Sequence, residues 1–106
     1  MDQVSRRGES GQEPASGLFF AEVVIPNKKG LHARASAQFV RCASSFTATV
    51  RVTREGHTVG GTSIMGLMSL AAARGTDITV EASGAEAEAV MAAIDTLIAS
   101  RFGEDE

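Results

Sequence analysis

A chain of 106 residues with 43% hydrophobic content is enough for one small domain with a single buried core, and too short for a second. Thirteen acidic against ten basic side chains exclude a general nucleic-acid binder, whose phosphate contacts need clustered Lys and Arg, and leave room only for a local basic patch. The single cysteine, Cys42, excludes an intrachain disulfide and a cysteine-rich zinc site, and suits a reducing cytoplasm.

Residues 1–17, MDQVSRRGESGQEPASG, are polar and rich in Gly and Ser, with no signal-peptide pattern, and are expected to form a disordered tail. Leu18 to Ile25, LFFAEVVI, has strand composition and is closed by Pro26-Asn27. After the loop Asn27–Gly30, a helix is expected from Ala33, because Ser36, Phe39, Val40 and Ala43 recur at the spacing that lines one helix face. It ends near Ser44-Ser45, and Cys42 inside it reads as a packing residue rather than a reactive thiol. Phe46 to Thr53 alternates apolar with polar residues, and Glu55-Gly56 turns it into His57–Gly60, a hairpin.

Ser63 reads as the N-cap of a second helix, with Ile64, Leu67, Met68 and Ala71 at helical spacing and Arg74-Gly75 as the stop. The run Ile64 to Ala73 falls well short of the roughly 20 apolar residues of a membrane span. Ile78, Val80 and Ala82 alternate as a further strand. Ser83-Gly84-Ala85-Glu86 reads as a capping box for a final helix buried through Ala87, Val90, Met91, Ile94, Leu97 and Ile98. The order β-α-β-β-α-β-α predicts an α+β fold, a four-stranded antiparallel sheet with three helices on one face. Its boundaries are 18–102, preceded by the tail 1–17 and followed by an acidic tail, 103–106.

The stretch GLHARASA, Gly30 to Ala37, places His32 and Arg34 at the strand-to-helix boundary. At or beside an N-cap, His32 sits where unpaired N–H groups and the positive end of the helix dipole favour an anion. That field disfavours imidazolium and so favours a ring with a free lone pair, the form a nitrogen nucleophile needs. Arg34 supplies a permanent cation with a forked set of donors for phosphate oxygens. Phosphoryl transfer rests mainly on positioning and charge stabilisation, which such a set can provide. The plainer alternative is that His32 only caps a helix and Arg34 is solvated. A metal site built from His32 and His57 lacks a local ligand cluster, so no metal and no cofactor is expected.

At GLHARASA the chain resembles the HPr phosphocarriers of the bacterial phosphotransferase system, whose active segment has the form GLHARPA. SIMGLMSL, Ser63 to Leu70, is similar to the regulatory-serine segment of the same family. The similarity spans about Leu18 to Phe102 and implies an open-faced β-sandwich. It implies that His32 takes a phosphoryl group on Nδ1 from phosphorylated Enzyme I and passes it to an Enzyme IIA-type acceptor, with Arg34 steadying the group. The carrier would be a covalent relay, not an enzyme with its own product. Ser63 becomes the site of an HPr kinase/phosphorylase. Ile64, Met65 and Met68 become a docking patch, with Gln38 and Arg41 at its rim, although by spacing Ile64 and Met68 belong to a core stripe and Met65 lies off it.

Ala35 departs from the family pattern, which has proline there and so pre-sets φ in the first helical turn. HARASA with SIMGLM looks more like the nitrogen-related regulatory carriers than the sugar-transport ones. The rival readings are a regulatory binding module that controls a partner without serving sugar transport, and an RNA-binding domain. The absence of Tyr and Trp disfavours the second, since base stacking needs aromatic platforms. The expectation is a cytoplasmic monomer that binds neither nucleic acid nor membrane.

Overall fold

The computed structural model describes residues 18–106; the tail expected over residues 1–17 lies outside them. Four strands form one antiparallel sheet in the order β1-β4-β2-β3, from β1 (Leu18–Val24), β2 (Thr49–Arg54), β3 (His57–Gly60) and β4 (Asp77–Ser83). The helices are α1 (Ala33–Ser44), α2 (Ile64–Ser69) and α3 (Ala87–Ala99), and a 3-10 turn, Arg101–Gly103, follows α3. The fold is the open-faced sandwich predicted from the element order.

Period-two alternation explains which face of the sheet is covered. Val50 and Val52 on β2 and Ile78, Val80 and Ala82 on β4 point inward and are buried, while Arg51 and Glu81 pair across the strands at 2.8 Å on the outer face. Ala35, Phe39 and Ala43 of α1, Leu67 of α2, and Val90, Ile94 and Ile98 of α3 close the same core. Full burial of a side chain the size of Phe39 or Ile94 contributes about 1.5–3 kcal/mol. Met91 and Leu97, expected in the α3 stripe, are only partly buried at its margin.

Three local expectations are corrected. The second strand begins at Thr49, because Phe46 to Ala48 form a bend closed by the bond from Ala48 N to Phe46 O. The predicted capping box at Ser83–Glu86 does not form: Glu86 is the N-cap, makes no side-chain cap bond, and instead accepts from Thr47 N at 2.6 Å. That bond ties the start of α3 to the bend before β2. Helix α2 stops at Ser69 rather than near Arg74-Gly75, because Ala71 adopts a left-handed φ of 51° and its N–H folds back to Met68 O. The chain after α2 thereby turns toward the loop that carries His32.

Candidate functional site

The loop before α1 is shaped by its backbone. Gly30 has φ +66°, and a Cβ there would meet Ala72 O at 2.3 Å, so only glycine allows this close approach. Leu31 N then donates to Ala72 O at 3.0 Å, and the buried Asn27 side chain donates to Gly30 O at 2.9 Å. Pinned on both sides, the chain delivers His32 as the N-cap of α1 with extended backbone angles, its carbonyl accepting from Ser36 N at 2.8 Å.

His32 caps through its backbone alone. Its side chain makes no cap bond, and its Nε2 lies 2.7 Å from Glu104 Oε2. Sequence reasoning missed this carboxylate, which is 72 residues away in the segment read as an acidic tail. The detectable signal was Phe102: an aromatic just beyond a helix end must be covered, and it carries the following residues with it. Phe102 is 1% exposed, and Arg101, Phe102 and Gly103 all adopt left-handed φ, turning Glu104 back over the loop. Glu104 Oε1 also accepts from Asn27 Nδ2 at 3.1 Å, and Lys28 pairs with Glu106 at 3.3 Å.

Burial works to raise the Glu104 carboxyl, but hydrogen bonds from His32 and Asn27 and the charges of His32 and Lys29 outweigh it and hold the group below its ordinary range. An ionised carboxylate can only accept, so Nε2 is the protonated nitrogen. In the neutral ring, Nδ1 then holds the lone pair. Lys28, Lys29 and Arg34 join His32 and the carboxylates of Glu104, Asp105 and Glu106 around a depression of about 330 Å³. Three cations thus face three carboxylates here, so the depression is mixed in charge rather than a basic patch.

The second motif meets the first through a neighbouring depression shared by His32, Leu31 and Met68. Ile64 and Met68, placed by spacing in a core stripe, are instead 39% and 38% exposed, and Met65 is 75% exposed; only Leu67 of α2 is buried. Three apolar side chains thus open to solvent from one six-residue helix. Ser63 is its exposed N-cap, Oγ accepting from Gly66 N at 2.9 Å. Arg34, Gln38 and Arg41 follow i, i+4, i+7 along α1, with both arginines exposed and Gln38 half-buried. His57 lies apart on β3, 3.4 Å from Ser69 Oγ.

Residues 20–100 match the family model described as the PTS HPr component phosphorylation site. The chain belongs to the HPr family. It is 46% identical to the phosphocarrier protein HPr of Cupriavidus necator over 85 residues, covering 80% of this chain and 96% of that one. It is 51% identical to the HPr of Neisseria meningitidis serogroup B over 84 residues, covering 79% and 94%. Among solved structures, HPr-C-His of Thermoanaerobacter tengcongensis superposes with a TM-score of 0.80 at 39% identity, over 83% of this chain and 99% of that one. HPr proteins are phosphocarriers of the bacterial phosphotransferase system, and membership makes this chain one of them. No helix among the described residues is long and apolar enough to cross a membrane.

Proposed function

We propose that the chain is a relay that takes a phosphoryl group on His32 Nδ1 from phosphorylated Enzyme I and hands it to an Enzyme IIA-type acceptor. The observation that carries this reading is the engagement of Nε2 by Glu104, which leaves Nδ1 as the nitrogen with a lone pair at a helix N-terminus, with Arg34 on the same depression. Arg34 steadies the transferred oxygens, and Lys28 and Lys29 add positive charge. The exposed trio Ile64, Met65 and Met68 is the surface on which both partners dock, with Gln38 and Arg41 of α1 as its rim contacts.

Ser63 is a regulatory site for an HPr kinase/phosphorylase. Its hydroxyl is exposed at the start of α2, where added phosphate is compatible with the helix end yet repels an acidic partner face. Incubation with Enzyme I and labelled phosphoenolpyruvate tests the relay: acid-labile, alkali-stable label is expected on the protein and absent from His32→Ala. Undiminished label in that variant sinks the assignment. With an HPr kinase and ATP, acid-stable label is expected and is lost in Ser63→Ala.

A further inference from the structure

We propose that Glu104 is a positioning residue for phosphoryl transfer, holding the imidazole of His32 with its proton on Nε2 and its Nδ1 lone pair presented to the incoming phosphorus. The inference rests on the relay reading above and adds a residue to it. Three observations support it together. Glu104 Oε2 is 2.7 Å from Nε2, and its other oxygen is held by Asn27, a fully buried amide on the loop that positions His32. The side chains of both partners are largely shielded, 28% exposed for His32 and 13% for Glu104. The carboxylate is delivered by a turn of three successive left-handed residues anchored on a buried phenylalanine, so its place is set by the fold rather than by chance of a free tail.

The chemistry gives the carboxylate work to do in both directions. When Nδ1 attacks, its lone pair forms the N–P bond, the bond from phosphorus to the donor breaks, and that electron pair leaves with the donor. No proton moves, so the ring gains positive charge while Nε2–H stays in place. That charge develops against Glu104, as it does against the orienting carboxylate of a catalytic triad. When the group is passed on, the N–P electron pair returns to Nδ1 and the ring is again neutral, still in the tautomer ready for the next cycle. Nδ1 and Nε2 point to opposite sides of the ring, so Glu104 can remain bound throughout.

The test compares the full chain with Glu104→Ala and Glu104→Gln, using Enzyme I and labelled phosphoenolpyruvate, with nitrogen-15 spectra of His32 in the unphosphorylated protein. The outer carboxylate that orients a metal-ligating histidine is worth about 10- to 100-fold, with tenfold the lower bound taken for scale. The expected result for Glu104→Ala is a kcat of phosphoryl acceptance lower by about that factor, with the KM of Enzyme I for the carrier unchanged, because Glu104 is outside the docking patch. Glu104→Gln, which keeps an acceptor without the charge, falls between. In the spectra, the wild-type Nε2–H proton is shielded from water exchange, and in Glu104→Ala it exchanges freely. A wild-type kcat in Glu104→Ala, or an equally shielded Nε2–H there, overturns the proposal. A wild-type chain that takes no label overturns the relay reading instead, while the spectra still report on the contact itself.

Discussion

Truncating Phe102 to alanine isolates what holds the closing turn over the site. Arg101 and Phe102 occupy the left-handed region at φ 58° and 56°, which costs about 1–2 kcal/mol for each non-glycine residue. Burial of the Phe102 ring, 1% exposed, contributes about 1.5–3 kcal/mol and so roughly offsets that strain. Phe102→Ala keeps the strain and removes the offset, which favours release of the turn. A change of 1.5–3 kcal/mol corresponds to about a 10- to 150-fold larger open fraction. Amide hydrogen exchange reads this directly. Gly103 N, bonded to Ser100 O at 3.0 Å, and Glu104 N, bonded to Arg101 O at 3.0 Å, are expected to exchange faster by that factor. Leu31 N, bonded to Ala72 O, serves as the internal standard and should change far less. If Gly103 and Glu104 exchange at wild-type rates while global stability falls, Phe102 supports the core alone and the reasoning about the turn is wrong.

Ser63→Ala removes the one side-chain cap of a six-residue helix and should cost about 1 kcal/mol, a fall in Tm of about 4–8 °C by thermal melting. Ala35 is the third residue of α1, where an N–H has no intrahelical acceptor, so Ala35→Pro should raise stability by about 0.4–1 kcal/mol; a lower Tm would show that the buried surroundings reject the ring. Because the folded carboxyl of Glu104 titrates below its ordinary value of 4.5, its contribution is complete above that value and is withdrawn as pH falls through the lower folded one. Acid titration followed by the Glu104 side-chain carbon signal should therefore show a midpoint below 4.5, returning toward it in His32→Ala. Burial raises the Cys42 thiol above 9.0, so alkylation by iodoacetamide at neutral pH should be slower than for a free thiol and accelerate only at alkaline pH.

Much of the fold was legible because alternation and helical spacing are local signals that burial then obeys. Val50, Val52, Ile78, Val80 and Ala82 point inward as their pattern required. The failures arose where local spacing held no record of a distant partner or of a backbone angle. Glu86 has the spacing of a capping box, but the backbone of Thr47, in the bend before the neighbouring strand β2, approaches it, and no local pattern records that. Ala71 gives no warning of a left-handed backbone, so helical spacing alone carried α2 too far. Within the candidate site, His32, Arg34 and Ser63 stand in motifs, whereas Glu104 lies in a run of acids that reads as solvated surface. Its role depends on a contact 72 residues away, created by the burial of Phe102.

Gly30 complicates any map of this site drawn from tolerance to substitution. Its φ of +66° and the 2.3 Å approach of Ala72 O bar every other side chain, although the residue has no atom to offer a phosphate. A saturation screen scored on growth would rank Gly30 beside His32 as indispensable. Scoring cellular abundance in parallel would separate them: His32 variants would accumulate as inert protein, and Gly30 variants would disappear to proteolysis.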